Sequence, residues 1–186
     1  MTTALRLTFI FWMVCPFLWF ITAGANIFTV PKLRDNGAML GQISFISGMV
    51  CVLVMGLFYR LLVPAALCGA VLTLAALILY ECTRHTVVDR NFYVGLSGGV
   101  PPVLCEEGPY RYVRHPFYLS YMAAFMGVAV AFPSLWVIGV CALNIALFSY
   151  MAVDDERDLA QSPLAADYAR FKLKVGMFLP RWSSKP

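Results

Sequence analysis

Charge is what this sequence has least of. Only 13% of its 186 residues are Asp, Glu, Lys or Arg, and 61% are apolar, against roughly 25% charged in an ordinary soluble domain. A chain of that balance would expose too much apolar surface in water, so a bilayer must be part of its solvent. Basic runs are missing as well. The net charge of +4 comes with no cationic stretch or helix face, which removes nucleic acid as a partner. Gly95, Gly98 and Gly99 follow no strand and form no G-x-G-x-x-G, which excludes a Rossmann unit, and no P-loop occurs. The six cysteines, at 15, 51, 68, 82, 105 and 141, stand singly with no C-x-x-C. Four lie in apolar segments, where a thiol acts as a small hydrophobe, so neither a disulfide framework nor a metal site is expected.

What is there is a set of long apolar runs. Residues 7–25 carry only Thr8 and Thr22 as polar interruptions, and their length suffices to cross ~30 Å of hydrocarbon. Residues 42–59 form a second run and 65–80 a third, joined by Arg60 and Pro64 in a tight turn that suggests a helical hairpin. Apolar character stops at Glu81, where polar residues, Gly98-Gly99 and Pro101-Pro102 interrupt any long helix. It returns at 117–132 and 134–153. The Phe132-Pro133-Ser134 junction between these two runs leaves room only for a second helical hairpin. In the tail, Leu164, Tyr168, Phe171 and Val175 recur at helical spacing opposite Asp167, Arg170, Lys172 and Lys174, the pattern of an amphipathic helix lying on the membrane surface or on a site. The fold class expected is all-α: a polytopic membrane protein with five transmembrane helices and a cytoplasmic C-terminal amphipathic helix. Residues 1–186 form a single membrane domain, with a three-span scaffold over 1–80 and a core over 81–186.

The charges select an orientation. Lys and Arg number two in 31–37, four in 81–117 and six in 154–186, segments that share one side, while Arg6 and Arg60 stand alone on the other. The positive-inside bias makes those three segments cytoplasmic and leaves the N-terminus outside. Ala23-Gly24-Ala25 looks like a signal-peptidase site. A cleaved leader would, however, invert this distribution, and its charged region would hold only Arg6.

Chemistry concentrates in Gly108-Pro109-Tyr110-Arg111-Tyr112-Val113-Arg114-His115-Pro116-Phe117-Tyr118. Two arginines, a histidine and three tyrosines in so short a run do more than anchor a helix end to headgroups, which is the plainer use of Arg and Tyr there. Pro116 suits a first helical turn, so the free N–H groups of that turn would point at Arg114 and His115 and welcome a carboxylate. Asp154-Asp155-Glu156, with Asp158, stands at the C-terminal end of the last run, where acids oppose the helix dipole and call for a cationic partner. That partner is Arg111, Arg114 or a ligand's positive group. The hairpin brings Arg114 and Glu156 together either as an interhelical salt bridge or around one pocket. His85, one turn past the third run, is more simply structural.

These residues resemble the isoprenylcysteine carboxyl methyltransferase family, with phospholipid N-methyltransferases as more distant relatives. Leu104, Gly108, Tyr110, Arg114, His115, Pro116, Tyr118, Glu156, Tyr168 and Leu179-Pro180 match its pattern in order, over about the last hundred residues. The resemblance implies S-adenosylmethionine as cofactor, held by Pro102, Val103, Leu104, Cys105, Tyr110, His115, Pro116, Phe117, Tyr118 and Glu156, with Arg114 and Glu156 carrying the chemistry. A cation for the cofactor's carboxylate and an acid for its ammonium suit that ligand. Alignment and water exclusion would be the main tasks in methyl transfer. Two departures stand out: Pro102 replaces the family's histidine, and Ala152 replaces the arginine that serves the substrate carboxylate. The expected acceptor is therefore a small lipophilic molecule entering from the bilayer, and not a standard prenylcysteine carboxylate. Expected partners are that acceptor and membrane lipid, with no nucleic acid and no metal. The rival readings are an NADPH-dependent membrane reductase of the sterol-reductase type and a non-catalytic membrane protein.

Overall fold

A computed structural model describes residues 3–27, 35–59, 62–88 and 103–181. The loop carrying Lys32 and Arg34, Arg60, and the Gly/Pro-rich stretch through Pro102 lie outside the described residues. Six α-helices follow in order: α1 (Thr3–Ile27), α2 (Asp35–Phe58), α3 (Val63–Val88), α4 (Pro116–Ala131), α5 (Leu135–Ala160) and α6 (Ala165–Lys174). A 3-10 turn, Gly108–Arg111, precedes α4. The fold is all-α and integral to the membrane. Four helices, α1, α2, α3 and α5, are long and apolar enough to cross a bilayer. The expected fifth span, α4, has 16 residues and so reaches only about 24 Å.

α4 lies inside the bundle. Eleven of its residues are buried, whereas α1, α3 and α5 turn Phe11, Leu67, Val71, Trp136 and Leu143 outward as a lipid-facing surface. Its main partner is α3. Along α3 the buried positions are Ala66, Gly69, Thr73, Ala76, Tyr80, Thr83 and Val87, a strict alternation of three and four that keeps one face turned inward for six turns. Small residues let the two backbones approach closely. A Cβ on Gly127 would stand 2.3 Å from Thr73 Oγ1, and one on Gly69 would stand 2.5 Å from the Gly127 carbonyl, the packing that stabilises helix pairs in lipid.

Two sequence expectations are corrected here. The third apolar run does not end as a helix at residue 80: α3 continues two turns to Val88. Its inward row continues through Thr83 and Val87, Arg84 pairs with Glu81 at 2.8 Å, and the Thr83 hydroxyl donates to the Leu79 carbonyl. The hairpin expected of the second and third runs also does not form a packed pair. α2 lies against α1 and α5, while α3 lies against α4 and α1, because the small-residue row of α3 is complementary to α4. The α4–α5 hairpin is present, with the Ser134 hydroxyl accepting from Val137 N as the N-cap of α5.

Aromatic rings fill the space between helices. Phe20 from α1, Phe45 from α2, Tyr80 from α3, Tyr121 and Phe125 from α4 and Phe148 from α5 pack mostly edge-on or tilted, with centroids 4.8–6.1 Å apart, the separations that favour aromatic pairs. Polar clips sit at intervals. Asn144 of α5 donates to Ser47 Oγ of α2 at 3.2 Å. Arg6 of α1 donates to the Leu57 and Tyr59 carbonyls, both at 3.0 Å, satisfying the C-terminal end of α2.

Candidate functional site

Backbone chemistry shapes the segment before α4. Gly108 has φ +53°, left-handed backbone that favours glycine, and a Cβ there would stand 2.3 Å from Thr86 Oγ1 of α3. The turn that follows is closed by Tyr110 N to the Glu107 carbonyl (3.0 Å) and Tyr112 N to the Pro109 carbonyl (3.1 Å), which drives the Tyr110 ring inward to 8% exposure. Val113 then pairs in a parallel bridge with Gly176. Arg114 N donates to the Gly176 carbonyl at 2.8 Å and His115 N to the Met177 carbonyl at 3.2 Å. The C-terminal segment after α6 therefore straps the loop in place. His115 caps α4 and Pro116 opens it.

Arg114 and Glu156 meet from opposite sides of the chain. Arg114 Nε and Nη2 both reach Glu156 Oε1, at 2.9 and 2.7 Å, and Nη1 donates to the Val175 carbonyl. His115 Nε2 stands 3.3 Å from the same Oε1, and Lys172 Nζ lies 2.8 Å from Oε2. Both members of the Arg114–Glu156 pair are nearly buried, while Lys172 is half-exposed. One carboxylate thus gathers three basic side chains from the loop and α6. Arg114 and Lys172 together outweigh the charge of Glu156, leaving the cluster a net cation suited to an anionic group. Burial holds His115 below the ordinary imidazole range, against the opposing pull of Glu156, so the ring is neutral near pH 7.

The neighbouring acid faces elsewhere. Asp155 Oδ2 accepts from the Tyr118 hydroxyl at 2.8 Å, and Asp155 forms no ion pair with a basic residue among the described ones. Four buried phenol hydroxyls make no well-formed hydrogen bond among the described residues: those of Tyr110 and Tyr168 near these acids, and those of Tyr80 and Tyr121 deeper in the bundle. Tyr168 sits beneath the cluster. Burial and the nearby Glu156 carboxylate push its phenol well above the usual range, and burial does the same to Tyr110.

The other sequence candidates are placed as follows. Val103 is exposed. Leu104 packs against Tyr168, Phe171 and Val175, and Cys105 packs at the edge of the main core. Pro116 is buried, and Phe117 turns into the core against Tyr80, centroids 5.3 Å apart. Pro102 lies outside the described residues. Arg111 is exposed and pairs with no acid among the described residues, so Arg114 is the arginine brought to Glu156. α6 packs on this site, burying Tyr168 and Phe171.

Sequence reasoning missed Lys172, which it assigned to the polar face of α6. The signal was present: Lys172 follows Tyr168 by four residues and shares its face, with Nζ 5.8 Å from the ring centroid. It also missed the strap of Val175, Gly176 and Met177, whose contribution is made by carbonyl oxygens and leaves no side-chain pattern. Ala152, where a family arginine was expected, is fully buried.

Comparison with known proteins follows the same segment. A family model for phospholipid methyltransferases matches residues 59–161, from the end of α2 through α3, the loop, α4 and α5. The cobalt-zinc-cadmium resistance protein CzcN of Cupriavidus metallidurans is 37% identical over 91 residues, covering 47% of this chain and 40% of that relative. The similarity therefore spans less than half of either protein. No solved structure matches the chain. With more than half of its residues inside the family model, and the loop, α4 and the acidic end of α5 all within the match, the chain belongs to the phospholipid methyltransferase family.

Proposed function

We propose that this protein is an S-adenosylmethionine-dependent methyltransferase of the membrane, acting on a small lipophilic acceptor that enters from the bilayer. The observation that carries the reading is the convergence of Arg114, His115 and Lys172 on Glu156, beside buried phenols with no hydrogen-bond partner among the described residues. The amino-acid end of the cofactor carries a carboxylate and an ammonium, and the cluster offers both kinds of partner. Arg114 and Lys172 would take the carboxylate and Glu156 the ammonium, each charge-assisted contact worth about 1.5–3 kcal/mol where water is partly excluded. Tyr110, His115 and Tyr118 would line the remainder, and the cofactor supplies an electrophilic methyl group. This chain's own task is then to orient the two reactants and keep water out.

Ala152 supports an acceptor other than a prenylcysteine carboxylate. It is fully buried, and no Lys or Arg lies between Arg114 and Arg157 to replace a carboxylate-binding arginine. The charge distribution supports an N-terminus outside and a cytoplasmic C-terminus, which puts the site within reach of soluble cofactor.

Calorimetric titration of the detergent-purified full chain with S-adenosylhomocysteine, and separately with NADPH, tests the reading. Saturable binding of the first alone is expected, weakened at least tenfold by Glu156→Gln. Binding of NADPH alone would replace the methyltransferase reading with that of a reductase. Binding of neither leaves a structural salt bridge as the function of the cluster.

A further inference from the structure

Two adjacent acids at the end of α5 live in opposite surroundings. Glu156 is compensated by Arg114 and Lys172. Asp155, one residue earlier and so about 100° around the helix, meets no basic group among the described residues. Its carboxylate accepts a hydrogen bond from the Tyr118 hydroxyl of α4. The other ionisable groups near it are Asp154 and Asp158 of its own helix and Tyr110 of the turn before α4. The Tyr110 hydroxyl is buried and has no hydrogen-bond partner among the described residues. Tyr121 continues the row of phenols into the bundle, its ring 6.3 Å from that of Tyr118, and Tyr80 follows at 5.9 Å.

An uncompensated carboxylate joined to buried phenols is poorly suited to binding an anion and well suited to receiving a proton. Methylating a carboxylate requires no base. Methylating a hydroxyl, a thiol or a neutral amine releases a proton, which needs a destination inside a site closed to water. Building on the methyltransferase reading, we propose that Asp155, acting through Tyr118, accepts the proton lost by an acceptor that carries an exchangeable hydrogen. In that step the acceptor's lone pair bonds to the methyl carbon, and the electron pair of the broken carbon–sulfur bond stays on the donor's sulfur. The acceptor's proton passes to Tyr118 as Tyr118 gives its own to Asp155, and Asp155 later releases it to water. Charge and atoms balance with no further reactant.

Membranes from cells making the full chain, supplied with S-adenosylmethionine labelled in the methyl group, provide the assay through label recovered in extracted lipid. S-adenosylhomocysteine affinity of the purified protein is the second readout. Asp155→Asn is expected to lower transfer by roughly 100-fold or more at pH 7, while affinity stays within about threefold of the wild type, since Asp155 is assigned no contact with the cofactor. The residual rate should climb about tenfold per pH unit from pH 7 to 9, as the acceptor ionises unaided. Asp155→Glu should recover part of the loss. Tyr118→Phe keeps the ring in the core and should lose roughly tenfold in transfer, which tests the relay should the Asn variant fail to insert. The proposal is overturned if Asp155→Asn transfers label like the wild type, if its transfer and affinity fall together, or if its rate shows no rise with pH. Wild-type protein that binds S-adenosylhomocysteine but labels no lipid also overturns it. Wild-type protein that binds no S-adenosylhomocysteine removes the methyltransferase reading beneath it.

Discussion

Glu156 shows how one carboxylate can decide whether a loop, a helix end and a tail stay together. With about a tenth of its side chain exposed, its removal leaves Arg114 with no acid partner in a dry setting, and breaking such a pair costs about 3–5 kcal/mol. Glu156→Gln should therefore lower the thermal midpoint in detergent by far more than Lys172→Met. Lys172 is half-exposed and its contact is screened, so its loss should cost about 1 kcal/mol or less. His115 gives a pH signature. Because burial depresses its folded pKa, the unfolded chain binds a proton that the folded chain refuses between that depressed value and about 6.5. Stability contributed by neutral His115 is present above about 6.5 and lost as pH falls below it. Midpoints measured from pH 7.5 to 5.5 should decline in the wild type and decline less in His115→Gln. The placement of Tyr110 and Pro116 was legible in the sequence because it is set by the local turn and the first turn of α4. Lys172 was not, since only the fold-back of α6 turns it toward Glu156.

At the scale of elements, contact between α3 and α4 is the joint on which the site is hung. Gly127→Val places a branched side chain where even a Cβ would be 2.3 Å from Thr73 Oγ1, and overpacking of this kind costs about 1–3 kcal/mol. A lower yield of folded protein by size-exclusion chromatography is the expected result. Gly108→Ala should act differently. It forces a left-handed backbone on a residue with a Cβ, about 1–2 kcal/mol, and pushes against Thr86, so S-adenosylhomocysteine affinity should fall while the bundle remains folded. Helix existence was readable from apolar runs, but the end of α3 was not. Reading stopped at the charges of Glu81 and Arg84, although the three-four row continues through Thr83 and Val87. Pairing was harder still. Short connection suggested α2 with α3, yet the glycines of α3 and α4 select each other by shape, a property that hydropathy does not record.

Across the whole molecule, the tail is part of the site as well as its cover. A chain stopped after Lys174 would retain every long apolar helix and lose the Gly176 and Met177 carbonyls that hold Arg114 and His115. Such a truncation should still reach the membrane fraction and should no longer bind S-adenosylhomocysteine, a separation that fractionation and calorimetry would reveal. If the Lys and Arg distribution sets the orientation, a cytoplasm-dependent reporter fused after Pro186 should be active.

The shortness of α4 has one more consequence. Its 16 residues stand among neighbours of 26 in α3 and α5, a difference of about 15 Å in rod length. Where α4 stops short, the 3-10 turn before it lies against α3 and α6 lies against α5, so the loop and α6 occupy the end that the longer helices extend past. On the methyltransferase reading, an oily acceptor moving within the bilayer and a water-borne cofactor would meet at that end without either leaving its own phase.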